Sequence, residues 1–208
     1  RKQYGEKIIA PRLRPILSWL ILFDDEIRRR ALEIHPEIAV EGGDPSRLPL
    51  LERKRILADI VRRIVSNEDD RSARDNSAIA RIANPDLSGE TKQLVNEYGD
   101  NDDAIFFLGR LVWQGEMASC VEPFVDIALD STRGIYARRV SARAVMTCGS
   151  VGQKQRLWQK LNGNDAQIPR ELLAELVEDA EPDNHSVEHL LISLGKLTPY
   201  KRFKATAL

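Results

Sequence analysis

The sequence predicts an all-α fold of stacked antiparallel helix pairs, an α-solenoid, on three observations. Apolar residues recur at helical spacing along most of the chain. No segment shows a convincing alternation of period two. Short polar turn signals break the chain into many brief helical segments, more than one compact bundle needs.

Leu13 to Phe23 and Glu26 to Ile34 read as the first two helices, the second stopped by His35-Pro36 because a residue before proline is pushed out of the helical region. Glu41-Gly42-Gly43-Asp44-Pro45 reads as a connecting loop. In PLLERKRILADIVRRIV, Leu50, Leu51, Leu57, Ile60, Val61, Ile64 and Val65 mark one apolar side of a strong amphipathic helix, with Pro49 at its start. Further helices are expected near 73–82, 88–98, 103–115, 119–129, 133–148, 151–162, 169–179 and 185–196. The separators are Asn84-Pro85-Asp86, Tyr98-Gly99-Asp100-Asn101, Asn162-Gly163-Asn164-Asp165 and Glu181-Pro182-Asp183-Asn184. The whole chain, residues 1–208, is expected to form one segment, with N-terminal helices over 1–70 and repeats over 71–208.

Self-comparison supports a repeat. Ala104–Gly115 lies over Arg138–Gly149 at an offset of 34, placing Leu108 on Ala142, Leu111 on Val145, Val112 on Met146 and Gly115 on Gly149. A further offset of 46 places Ala144, Val145, Cys148 and Gly149 on Leu190, Leu191, Leu194 and Gly195. Within IYARRVSARAVMTCG, at 100° per residue, Ala137, Ser141, Ala144 and Cys148 form a narrow stripe of small side chains, which admits a close neighbour. Ile135, Ala142 and Met146 supply a second apolar line, as a helix packed between two neighbours requires. Arg139 and Arg143 stand together at i, i+4 on another face. These two are the candidate partner contact.

Composition narrows the function. With 31 Lys plus Arg against 32 Asp plus Glu, the net charge of −1 gives no global attraction for nucleic acid or an anionic membrane. Residues 1–66 carry 14 basic and 10 acidic side chains, a mild local excess. Cys120 and Cys148 fit neither a disulfide scaffold nor a C-x-x-C site, and point to a reducing, cytoplasmic setting. The longest apolar run, Ile16 to Phe23, is far shorter than the ~20 residues that cross a bilayer. The chain opens on Arg1-Lys2-Gln3 without a signal-peptide pattern, and is expected to be a piece of a larger polypeptide.

Helix pairs with small residues and an internal arginine resemble HEAT-like repeats. A more specific resemblance lies in Leu13–Leu57 followed by Ala80–Leu87, which is similar to the helical region downstream of the nucleotide-binding module in bacterial NACHT-type STAND NTPases. Trp19-Leu20, Asp24 or Asp25, the Leu32 to Pro36 ending, the Gly43-Asp44 loop and Leu48-Pro49 stand at that family's recurring positions. The resemblance covers about the first 90 residues in detail. It implies a molecular switch, in many cases linked to phage defence, in which repeats sense a partner and an ATPase core oligomerises. This segment holds no G-x-x-x-x-G-K-[ST] loop, and Gly149-Ser-Val-Gly-Gln-Lys154 lacks both the spacing and the hydroxyl.

Other motifs read as structural. His185 and His189 have metal-compatible i, i+4 spacing but no identifiable third ligand and no H-E-x-x-H form, so exposed histidines near a helix start are the simpler reading. His35 reads as a helix-end residue. Asp100, Asp102 and Asp103 read as helix N-terminal acids, and Glu68-Asp69-Asp70 as a solvated link. Arg28-Arg29-Arg30, Arg53-Lys54-Arg55 and Arg62-Arg63 are interleaved with Asp24, Asp25, Glu26, Glu52 and Asp59, which predicts local neutralisation. Trp19, Trp113 and Trp158 are expected to anchor the core. An exposed tryptophan would instead mark a contact surface. The expectation is a non-catalytic interaction or sensor region without cofactor or metal, its partner a protein or another part of the same polypeptide. The alternatives are a nucleic-acid-binding HEAT-like module and a structural spacer.

Overall fold

The computed structural model describes residues 2–3, 6–69, 71–163 and 167–198, and the fold is all-α. A short antiparallel pairing of Lys2–Gln3 with Glu6–Lys7 (β1 and β2) precedes the helices. The chain then runs through α1 (Arg14–Leu20), α2 (Asp25–Ile34), α3 (Ile38–Glu41), α4 (Leu50–Val65), α5 (Asn76–Ile82) and α6 (Ser88–Tyr98). It continues through α7 (Asp102–Gln114), α8 (Glu122–Leu129), α9 (Ile135–Cys148), α10 (Val151–Gly163), α11 (Arg170–Glu178) and α12 (Asn184–Gly195). The expected helices are all present. The one-turn α3 and the β1–β2 pairing were not expected, because two to four residues are too few to show a period.

The turn residues set the helix starts. Asp24, Asp75, Asn101 and Asp183 each cap the following helix, their side-chain oxygens accepting from the amides of Ile27, Ala78, Ala104 and Ser186 at 2.7–2.9 Å. At the other end, α7 and α9 stop at Gly115 and Gly149, which the offset of 34 superposes. A Cβ on Gly149 would lie 2.4 Å from the Val145 carbonyl oxygen, so a larger residue cannot occupy this stop unless the backbone shifts.

Packing follows a regular order. α3 contacts α5, α5 contacts α7, α7 contacts α9 and α9 contacts α11, while α4 contacts α6, α8 contacts α10 and α10 contacts α12. The two series touch where α4 and α6 meet α7 and where α8 and α10 meet α9. The α9 helix is therefore covered mainly by α7, α8 and α11, with a smaller contact to α10. Its small-residue stripe is buried at Ala137, Ser141 and Ala144, each at most 1% exposed, and partly buried at Cys148. The second line is buried too at Ala142 and Met146. Opposite, Gly109 of α7 leaves room for Val140, since a Cβ there would come within 2.9 Å of Val140 Cγ2.

The offset of 34 thus relates α7 to α9, two neighbours in one series. The offset of 46 relates α9 to α12, which belong to different series, and its apolar matches differ in burial: Val145 is buried whereas its match Leu191 is exposed, and Cys148 is partly buried whereas its match Leu194 is exposed. The extra residues of the longer offset would fall in the link Asn162–Pro169, part of which lies outside the described residues.

Because Ala144 is fully buried in this close contact, Ala144→Arg should destabilise the protein by several kcal/mol through overpacking and charge burial. Urea unfolding followed by circular dichroism measures it, and an unchanged midpoint would show that α9 is not packed as described.

Candidate contact surface

The arginine pair predicted as a partner contact is engaged within the fold. Arg139 donates from Nε and Nη2 to Glu175 Oε1 on α11 at 3.0 and 2.5 Å. Arg143 Nε lies 3.4 Å from Glu175 Oε2, and its Nη2 pairs with Glu178. The Arg143 guanidinium also stands 4.9 Å from the centre of the Trp113 ring on α7. One buried carboxylate, Glu175, is thereby shared by two cations from the facing helix. The pair clamps α9 to α11, leaving only part of each guanidinium open to solvent. Arg138 points the other way, donating to the Ala128 carbonyl at 3.1 Å.

The other basic clusters are largely neutralised, as their interleaved acids suggest. Arg28 pairs with Asp25, Arg29 and Arg30 with Glu26, and Arg62 with Asp59. Arg53 and Arg63 instead reach across the fold, to Asp86 at 2.5 Å and to the fully buried Glu37 at 2.8 Å. An open groove of about 1010 Å³ between α2 and α4 is lined by both signs, among them Arg28, Arg55, Asp59 and Arg62. Asp69, expected in a solvated link, is covered and holds Arg74 through both carboxylate oxygens at 2.7 Å. Asp70 lies outside the described residues. Asp102 is more than a helix-start acid, since it accepts from Arg133 Nε at 2.6 Å and from the Gly134 amide at 2.7 Å.

The most exposed apolar feature is the face of α1 with its flanking Leu13 and Phe23, although the Arg47 guanidinium stands 5.3 Å over the Phe23 ring. The buried residue of α1 is Ser18, whereas Leu13, Ile16, Trp19, Leu20 and Phe23 are exposed on one side. Trp19 is 54% and Phe23 67% exposed, so Trp19 is no core anchor. Trp113 is partly buried and Trp158 is buried, as expected. The glycine loop fixes this orientation: Gly43 has φ +67°, and a Cβ there would come within 2.6 Å of the Ser18 carbonyl oxygen. Arg14 on α1 forms a two-pronged ion pair with Glu41 just before that loop. The Gly42-Gly43 loop thus packs against Ser18, Trp19 and Leu22 of the α1 segment.

No family model matches the chain, and neither the curated proteins nor the solved structures show a match to it.

The far end repeats the inversion. α12 buries Ser193 and exposes Val187, Leu191, Ile192 and Leu194. Val187, Leu191 and Leu194 follow i, i+4, i+7 spacing and share one side. On another side of α12 the two histidines come together, their Nε2 atoms 3.1 Å apart. Burial, followed by the nearby His185, lowers the pKa of His189. His35 closes α2, its amide donating to the Ala31 carbonyl. Among the described residues, no group of three or more His, Cys, Asp and Glu side chains could hold a metal ion. No described helix is long and apolar enough to cross a membrane.

Cys148 ends α9 with its thiol facing the Val112 carbonyl at 3.6 Å. Burial, reinforced by Glu116 and Asp179, pushes its pKa up to about 11. Cys120 is raised by burial as well.

Two outcomes follow for these groups. Glu175→Ala should cost about 1–3 kcal/mol, between the values for exposed and fully buried pairs, because it strands Arg139 and frees one contact of Arg143; chemical denaturation checks it. Iodoacetamide at pH 8 should label Cys148 in the folded chain far more slowly than in urea, since only about a thousandth of such a thiol is ionised there; equal rates by mass spectrometry would contradict the burial.

Proposed function

We propose that this chain is a non-catalytic interaction region built as a HEAT-like α-solenoid, part of a larger STAND-type NTPase. The repeat reading is supported by polar links between next-but-one helices or the turns that flank them. Arg53–Asp86, Ser88–Cys120, Asp102–Arg133, Arg139–Glu175, Thr147–Asp179, Glu122–Arg156 and Asn162–Ser193 are separated by 33, 32, 31, 36, 32, 34 and 31 residues. That near-constant step is what stacked helix pairs of one repeat length produce.

The observation that carries the interaction role is the inverted amphipathicity of α1 and α12, each of which buries a serine and presents an apolar row. The outermost helices of a self-contained solenoid have polar outer faces. These two do not, so both are read as contact faces against other protein surface, in the same polypeptide or in a partner. The STAND assignment is supported by the residue resemblance in the first 90 positions. In that setting the segment relays partner binding to an ATPase module, which supplies the nucleotide chemistry. The ion-paired basic clusters favour a protein partner over nucleic acid.

Hydroxyl-radical footprinting tests the contact reading. Trp19, Phe23 and Leu191 should label strongly in the isolated chain and be protected in the intact polypeptide or its complex; equal labelling in both would sink it. The STAND reading further requires a phosphate-binding G-x-x-x-x-G-K-[ST] loop elsewhere in that polypeptide, and nucleotide-free behaviour of the whole would remove it.

A further inference from the structure

α10 and α12 assemble a cluster that the interaction role does not use. His185 and His189 stand one turn apart on α12, with ring centroids 4.4 Å apart and planes crossing at 72°. The His189 ring lies flat against Trp158 of α10, centroids 5.7 Å apart and planes within 5°. Asn162 Nδ2 donates to His189 Nδ1 at 3.0 Å and to the His189 carbonyl at 3.2 Å. Asn162 Oδ1 in turn accepts from the buried Ser193 hydroxyl at 2.7 Å. His189 is thus fixed by groups outside its own side chain, while His185 is exposed and open to solvent.

The geometry points to a chelating site for a late divalent transition metal ion, of the Cu²⁺, Ni²⁺ and Zn²⁺ class, held by Nε2 of His185 and Nε2 of His189 and completed by water. Two imidazole nitrogens bound at ~2.0–2.1 Å to one ion stand about 2.9 Å apart at a right angle and about 3.3 Å apart at the tetrahedral angle. The Nε2 atoms here are separated by 3.1 Å. Helical i, i+4 spacing with both rings already turned toward one another means that little side-chain entropy is lost on binding. Asp183 and Glu188 lie close enough to act on His189 and favour a cation, and Lys196 is drawn aside by its bond to the Asn162 carbonyl oxygen at 2.5 Å. Two protein ligands are fewer than a structural zinc site uses, so the ion binds reversibly to a folded chain and does not build the fold.

Asn162 acts as a positioning residue. Without metal, His189 Nδ1 accepts, so its proton sits on Nε2 and is donated to His185 Nε2. Metal binding requires the Nε2 lone pair, so the proton moves to Nδ1, and the Asn162 carboxamide turns over to present Oδ1 as its acceptor, giving up its bond to the His189 carbonyl while the Ser193 hydroxyl reverses to accept from Nδ2. A carboxylate at 162 would serve that role without the turn.

Titration of the full chain with Cu²⁺ should show one saturable site, tighter than for Ni²⁺ or Zn²⁺, and should quench the emission of the stacked Trp158. Because His185 is exposed, His185→Ala should leave the melting temperature in chelator unchanged while weakening Cu²⁺ binding by roughly tenfold or more. Asn162→Asp should tighten it by roughly tenfold, and Trp158→Phe should remove the saturable quench while calorimetry still registers binding. Unaltered Cu²⁺ binding by His185→Ala, or quenching that never saturates, would overturn the site.

Discussion

The architecture depends on how closely α9 can approach its neighbours. Three helices are its main cover, and they fit because Ala137, Ser141 and Ala144 add almost no bulk and Gly109 yields space to Val140. Close-packed interiors tolerate neither voids nor excess volume, so a helix covered on several sides is confined to small side chains along its tightest lines. Serine survives there because its hydroxyl donates to the Ala137 carbonyl at 2.7 Å, one turn back.

Arginine is the second element of the design. Residues that look like a cationic surface in the sequence are used as couplers: Arg53 to Asp86, Arg63 to Glu37, Arg74 to Asp69, Arg139 and Arg143 to Glu175. A planar guanidinium can satisfy two acceptors at once, which suits the gap between helices packed side by side. The partner lies 33 residues away for Arg53 and 32 to 36 for the Arg139–Arg143 pair, but 26 for Arg63 and only 5 for Arg74. Charge balance near zero is therefore a property of the contacts as well as of the composition.

Much of this was legible in the sequence, and the gaps have physical causes. Helices α4, α7 and α9 announce themselves by period, and the buried stripe of α9 follows from side-chain size alone. The orientation of α1 and α12 is not legible, because periodicity locates an apolar row without revealing whether anything covers it; for that reason Trp19 is expected in the core, although it is exposed. Asp69 looked solvated because its partner, Arg74, lies beyond a turn that composition does not define. The candidate contact at Arg139 and Arg143 had the right spacing, but the carboxylate that engages both is 32 to 36 residues away. The His185–His189 spacing was visible, whereas the Asn162 and Trp158 supports come from another helix.

The polar links that join next-but-one helices also govern how such a chain comes apart. Each ties a helix only to its successor in the same series, so the two ends have no direct hold on one another. Loss of α12 releases Ser193 and Lys196 from Asn162 but leaves the clamp on Glu175 intact. A structure wired in this way frays inward from an end, and a pull on one face is felt most strongly at the next helix of the series and progressively less beyond it.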